Sequence, residues 1–141
     1  MLSKGLSIGY MEQDPNLSEF STLYDYVYSG ASESNLHLIE MTGKNLGINF
    51  DTAIDASSGG ERRRAALTKL IAADHDIMLF DEPTNHLDLE AIEWLESDLK
   101  YSSKSLVIIS HDRTFLSNLK NDTVWVDRGQ ASRCYFGFGC L

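Results

Sequence analysis

Between Ile77 and Asp88 the chain reads Ile-Met-Leu-Phe-Asp-Glu-Pro-Thr-Asn-His-Leu-Asp. Four apolar residues run without a break into two adjacent carboxylates, a proline and a short polar turn. A short apolar run closed by a turn signal predicts a strand buried inside a parallel sheet. Carboxylates at the end of such a strand are costly unless they meet a metal ion, a donor or a reacting group. Open α/β sheets bind their ligands at the C-terminal ends of their strands, where Asp81 and Glu82 fall. One carboxylate holding Mg²⁺ through water and a second orienting an attacking water would suit phosphate hydrolysis.

The flanking sequence extends this strand into an alternating pattern. Leu6 to Gln13 reads as a strand stopped by Asp14-Pro15-Asn16. Leu23 to Tyr28 suits a short helix, and Leu36 to Leu46 a second one with Leu36, Ile39 and Leu46 on one side. Asp51 to Gly60 reads as loop. Glu61 to Ala73 predicts a helix with Ala66, Leu67, Leu70 and Ile71 on one face, and Arg62, Arg63 and Lys69 on others. Asp88 is the expected N-cap of a helix through Lys100, striped by Ala91, Ile92, Leu95 and Leu99. Ser105 to Ser110 reads as another buried strand, Asp112 as the cap of a helix to about Lys120, and Thr123 to Val126 as a last short strand. Strands alternating with helices predict α/β layers around a parallel sheet.

At 141 residues there is room for one modest core. A hydrophobic fraction of 43% with 23% charged residues is ordinary for a globular protein, and no apolar run is long enough for a membrane span. Met1-Leu2-Ser3-Lys4 does not open a signal peptide, so a cytoplasmic setting without a membrane is expected. A net charge of −9 argues against a general nucleic-acid surface, and no direct DNA binding is expected of this chain. Cys134 and Cys140 lie too far apart, and with too few other ligands, for a metal pair; two reduced structural thiols are expected.

Three further segments join the first in a fixed order. Ile8-Gly9-Tyr10-Met11-Glu12-Gln13-Asp14-Pro15 precedes Ser57-Ser58-Gly59-Gly60-Glu61, and Ile109-Ser110-His111-Asp112-Arg113 follows. Together they resemble the Q-loop, signature, Walker B with D-loop, and switch-histidine segments of an ATP-binding cassette (ABC) ATPase. The wording Asp81-Glu82-Pro83-Thr84-Asn85-His86-Leu87-Asp88, with the basic run Arg62-Arg63-Arg64, is similar to the ABC-F subfamily and its Uup-like branch. These are soluble tandem-cassette ATPases that act on ribosomes. Thr123-Val124-Trp125-Val126-Asp127-Arg128-Gly129 resembles the same group, so the likeness runs from about Leu6 to about Phe138. It implies a P-loop NTPase-like α/β fold with an inserted helical subdomain at about 18–73 and a Walker B, D-loop and switch core at about 74–127. A P-loop of the form Gly-x-x-x-x-Gly-Lys-Ser/Thr does not occur. Gly43-Lys44 is the lone Gly-Lys pair, and Leu38 and Asn45 stand where the motif needs Gly and Ser/Thr. The expectation is a cassette that begins after its Walker A helix, with its N-terminal part missing.

The resemblance implies a role for each matching residue. Glu82 would be the general base or water-positioning group, and Asp81 the Mg²⁺ ligand through water. Gln13 would sense Mg²⁺ and the nucleophilic water, and His111 would hydrogen-bond the γ-phosphate. Ser58, Gly59 and Gly60 would meet a phosphate held by an opposite cassette, at a helix start whose free N–H groups favour an anion. Ser57 stands where the family has Leu, a change expected to loosen packing. Asp88 would cap its helix and contact a partner cassette. Each has a plainer reading: Glu82 as a turn-capping acid, Asp81 as an acid paired with Arg, Ser58 as an ordinary N-cap, Gln13 as a loop residue, His111 as structural. Arg62-Arg63-Arg64 reads as a solvated helix face or a subunit contact, His86 as structural, and His37 and His75 as solvent-facing.

The reading that follows is an ATPase cassette using ATP and Mg²⁺, partnered by a second ABC cassette and by the ribosome. Its alternative is a non-catalytic interaction module or inactive fragment that lends its signature to a partner's ATP. A membrane-transporter cassette fits Thr84-Asn85-His86-Leu87-Asp88 less well. Without the central strands of such a cassette, Ile77 to Phe80 and Leu106 to Ile109 are expected to carry unpaired edges.

Overall fold

The computed structural model describes residues 5–12, 14–119 and 123–134. Three strands form one parallel sheet in the order β1 (Ile8–Tyr10), β2 (Ile77–Asp81), β3 (Ser105–Ile109). Helices α1 (Leu23–Tyr28), α2 (Leu36–Asn45) and α3 (Gly59–Ala72) lie between β1 and β2. Helix α4 (Leu89–Tyr101) connects β2 to β3, and α5 (Arg113–Leu119) follows β3. The α/β layering expected from the alternating pattern is therefore present. The strand foreseen over Leu6 to Gln13 pairs as a strand only at Ile8–Tyr10, with Met11 N–H adding one bond to the Leu79 carbonyl at 2.9 Å.

β2 is the central strand. Met78 lies opposite Gly9 and Leu106, and Leu79 opposite Tyr10 and Val107. The unpaired edge expected for Ile77 to Phe80 is thus absent, because β1 pairs along it; the outer sides of β1 and β3 are the sheet's edges among the described residues.

The pleat sends alternate residues to opposite faces, and the two faces differ. Met78 and Phe80 are buried with Leu67, Leu70 and Ile71 of α3, Ala91, Leu95 and Leu99 of α4, and Phe115 and Leu119 of α5. Gly9 shares that face, where a Cβ would lie 2.4 Å from the His75 ring and 2.5 Å from Leu70. His75 is accordingly half-buried against β1 instead of solvent-facing. On the other face Ile8, Tyr10, Val107 and Ile109 are exposed by 48, 57, 51 and 60%. This apolar face has no cover among the described residues, whereas parallel sheets are ordinarily covered on both sides.

A second cluster gathers Leu17, Leu23, Val27, Ile39 and Ile54 around Ala65 and Ala72 of α3. Helix α3 serves both clusters because its apolar residues are spread around much of its circumference. Lys69 ties α1 to it, donating to the Tyr26 carbonyl and the Ser29 hydroxyl with its ammonium 4.5 Å from the Tyr26 ring centre. Burial pushes the Lys69 ammonium down and the Tyr26 phenol up to about 12. Leu36, expected beside Ile39, is exposed by 38%.

Sequence-local capping sets the helix starts. Thr22 and Asp25 form a reciprocal capping box on α1, and Ser58 and Glu61 form another on α3. Asp88 caps α4 by accepting from Ala91 N–H at 2.9 Å, and Asp112 accepts from Phe115 N–H at 3.0 Å to start α5. Beyond α5, β4 (Thr123–Asp127) does not end the chain's structure as expected. It pairs antiparallel with β5 (Gln130–Cys134) through Arg128 and Gly129, whose φ angles are 47° and 80°. Two positive φ values in a two-residue turn match the right-handed twist of a hairpin. The Cys134 side chain and Cys140 lie outside the described residues, so the thiol expectation falls there too.

Candidate active site at the C-terminal edge of the sheet

The parallel register brings Asp81 opposite Ile109, so both strands end at the same level. Glu82 N–H then donates to the Ile109 carbonyl at 2.8 Å, carrying the pairing one residue past β2. Its φ of 49° turns the chain sharply, a conformation non-glycine residues adopt at a cost of about 1 kcal/mol or more. Two short turns follow: Asn85 N–H donates to the Glu82 carbonyl at 3.2 Å and Leu87 N–H to that of Thr84 at 3.2 Å. Pro83 and Thr84 are buried within them.

The turn places the Glu82 carboxylate against the segment after β3. Oε2 accepts from His111 N–H at 3.3 Å. Oε1 lies 3.4 Å from His111 Nε2, yet that approach lacks hydrogen-bond alignment, so Oε1 is buried without a donor. The Glu82 side chain is 15% exposed and that of His111 is 99% exposed. A largely enclosed carboxylate with one oxygen free of donors, beside a solvent-facing imidazole, is chemically suited to act as a proton acceptor. Residues 29 positions apart in the chain are joined here by strand register alone.

A third element holds this edge. Arg63, on α3, donates from one guanidinium nitrogen to the Asp81 carbonyl at 2.9 Å and the Glu82 carbonyl at 3.3 Å. Arg62 donates to Ser57 Oγ at 2.9 Å and to the Ile54 carbonyl at 2.9 Å. Arg62 and Arg63 are therefore turned inward to opposite sides of α3, and their side chains do not form the solvated face expected of the run. Charge runs on helices are usually solvated, which is why the sequence reading missed Arg63. Ser57 likewise ties the loop down, its hydroxyl donating to the Ile54 carbonyl at 2.6 Å; a Leu could do neither.

At the start of α3, Ser58 Oγ accepts from Glu61 N–H at 3.2 Å, while one Glu61 carboxylate oxygen accepts from Ser58 N–H and Oγ. These bonds, the backbone one first, hold the Glu61 carboxyl below its ordinary range. Gly59 is open to solvent, whereas a Cβ on Gly60 would lie 3.3 Å from the His86 Cβ. The helix start thus rests against the turn after Glu82, with His86 at φ 65°. Asp88 is exposed beyond it, as α4's cap. So Asp81, Glu82 and His111 meet at one edge, and Ser58, Gly59 and Gly60 abut the neighbouring turn. Gln13 lies outside the described residues, although Met11 beside Leu79 leads the chain toward the same edge.

Among the described residues no three His, Cys, Asp or Glu side chains cluster to hold a metal ion unaided. Asp81 brings a single carboxylate to the end of β2, a donor that would fit Mg²⁺ shared with phosphate oxygens and waters. Gly43 is no phosphate cradle: it lies buried inside α2, where a Cβ would stand 2.3 Å from the Phe50 ring. Among the described residues no helix is long and apolar enough to cross a membrane.

Comparison with known proteins identifies the family and the fold. The family profile described as ABC transporter matches residues 2–85. Over 85 residues the chain is 52% identical to the ATP-binding protein Uup of Haemophilus influenzae, covering 60% of this chain and 13% of that protein. Over 171 aligned positions it is 31% identical to the energy-dependent translational throttle protein EttA of Mycobacterium tuberculosis, covering 92% and 31%. The chain thus spans less than a third of these curated relatives. A solved dimeric ATP-binding cassette in a post-hydrolysis state, bound to ADP and phosphate, superposes with a TM-score of 0.73 at 23% identity. That superposition covers 94% of this chain and 65% of the cassette, and it is a likeness of fold. The chain belongs to the ABC transporter family of ATP-binding cassettes, with ABC-F relatives of the Uup and EttA kind.

Proposed function

We propose that this chain supplies the hydrolytic edge and the signature of an ABC-F cassette acting on ATP. The observation that carries the proposal is the Glu82 carboxylate, mostly enclosed, donor-free at Oε1 and 3.4 Å from His111 Nε2 at the strand ends. Glu82 orients the attacking water and accepts its proton, while His111 donates to the γ-phosphate. Mg²⁺ bound with the nucleotide would neutralise phosphate charge, with Asp81 as its protein ligand through water and Gln13, by its place in the motif order, as the residue that senses it. Ser58, Gly59 and Gly60 present helix-start N–H groups to a phosphate held by an opposite cassette, and Asp88 meets that cassette. Residues 18–73 act as the helical subdomain and 74–127 as the Walker B, D-loop and switch core.

The cradle for the phosphates is not among these 141 residues, which contain no Gly-x-x-x-x-Gly-Lys-Ser/Thr. The uncovered apolar face of the sheet is a suitable seat for the strand and helix that would bring it. A second reading, a non-catalytic module that only lends its signature or dimerises, draws on that same absence. The likeness to a translational throttle protein supports a partner at the ribosome and a cytoplasmic setting.

The test combines this chain with the P-loop-bearing part of a Uup cassette and follows phosphate release. The chain alone is expected to bind ATP·Mg²⁺ without useful affinity. The reconstituted cassette is expected to turn over, and Glu82→Gln to lower kcat by about 100-fold or more while leaving nucleotide binding within a few-fold. Nucleotide binding without turnover in the intact pair would favour the non-catalytic module.

A further inference from the structure

We propose that a groove beside α4, at the opposite edge of the sheet, binds an arginine side chain of a basic polypeptide partner. The groove, about 550 Å³, runs between the C-terminal half of α4, the end of α3 and the start of α2. It is bordered by residues 73–74, ahead of β2, and 102–104, ahead of β3. It therefore lies at the N-terminal ends of the strands, away from Glu82 and His111. An occupant here need not compete with nucleotide.

Trp94, Asp98 and Tyr101 follow one another at helical spacing and line one wall. Ile71 and Met78 add apolar surface. Asp98 is the unexplained member. Its side chain is half-buried, burial pushes its carboxyl above the ordinary range, and no hydrogen bond or ion pair is made by it among the described residues. Lys104, the cation lining the groove, is committed to Asp74 across the rim. Lys100, nearby on α4, stands over the Tyr101 ring, 5.8 Å from its centre.

A half-buried, unpaired carboxylate set between Trp94 and Tyr101 along the groove wall is open to a cation. Arginine fits better than lysine, since its weakly hydrated planar guanidinium pairs with a carboxylate in a fork and stacks on aromatic rings. The surroundings favour a basic segment over a lone amino acid. A second groove of about 320 Å³ shares Ser97 and Tyr101 with the first and is lined by Glu93, Glu96 and Lys100, two carboxylates against one ammonium. A second basic residue of the same partner would find that acidic position beside the first. Phosphate-bearing partners are disfavoured here by the same carboxylates and by the chain's net charge of −9.

The probe is hexa-arginine, titrated into the 141-residue chain while the Trp94 indole N–H signal is followed by NMR. Saturable binding that shifts this signal is expected. Asp98→Asn should weaken it at least tenfold and Tyr101→Ala at least threefold. Glu90→Gln removes one charge from an exposed site on the same helix outside both grooves, and should stay within twofold. Hexa-lysine should bind at least fivefold more weakly. Tyr101 is 80% exposed, so its removal leaves the core intact and keeps the test decisive if Asp98→Asn fails to fold. Equal losses from Asp98→Asn and Glu90→Gln would overturn the proposal in favour of general attraction to an acidic protein. So would equal affinity for hexa-lysine, absence of binding, or a self-associated form that buries Trp94 and resists hexa-arginine.

Discussion

Glu61 shows how a single side chain links local sequence to pH response. Its carboxylate accepts from both the backbone and the hydroxyl of Ser58, and its pKa lies below the ordinary 4.5 as a result. A depressed carboxyl contributes stability that is fully present above its unfolded pKa and lost as pH falls through its folded one. The melting temperature of Glu61→Ala should therefore lie below that of the parent at pH 7, and the gap should narrow once pH drops below about 4.5. A thermal scan at half-unit steps between pH 3 and pH 7 checks this. Gly43 makes a different point. A methyl there would enter the Phe50 ring, and Gly43→Ala is expected to cost about 1–3 kcal/mol despite the better helix propensity of alanine. Urea midpoints read the difference, and a stabilised variant would contradict the packing.

Between α3 and β2 a single side chain does what hydrophobic contact cannot. Arg63 donates to the Asp81 carbonyl at the end of β2 and shares the Glu82 carbonyl with Asn85 N–H in the sharp turn. Arg63→Ala should destabilise the fold by about 1–3 kcal/mol, the range for taking the donor from one buried acceptor, here the Asp81 carbonyl. Arg63→Lys, which can reach a carbonyl without the planar fork, should recover part of that loss. Equilibrium unfolding of the three proteins decides, and equal stability of Ala and Lys variants would count against the tie. The helices themselves were readable beforehand, because Thr22-x-x-Asp25, Ser58-x-x-Glu61 and Asp88 are local signals. The hairpin of β4 and β5 was less so, since Arg-Gly is a weaker turn signal than Asn-Gly and the following strand has no strong alternation.

The arrangement of the whole molecule turns on its half-covered sheet. Helices α3, α4 and α5 shield Met78 and Phe80, while Ile8, Tyr10, Val107 and Ile109 face outward. An apolar face of that kind, flanked by strand edges, promotes self-association. The double variant Val107→Thr with Ile109→Thr should therefore shift sedimentation toward monomer while changing the melting temperature little, because both side chains are already more than half exposed. A core residue treated the same way, such as Met78, would instead cost stability outright.

Periodicity and caps are properties of neighbours in the chain, and they were enough to predict the parallel α/β layering, most helix boundaries and the placement of Asp81, Glu82 and Asp88 at element ends. The order of four motifs was enough to point to the cassette family. Contacts between distant residues depend on strand register and helix packing, which no local pattern encodes. Tertiary structure alone therefore joined Glu82 to His111, turned Arg62 and Arg63 inward, packed His75 over Gly9 and left Asp98 without a partner among the described residues. It also decided which face of the sheet stays open: the apolar alternation of β1 and β3 is the same whether a helix covers it or not, and only packing distinguishes the two.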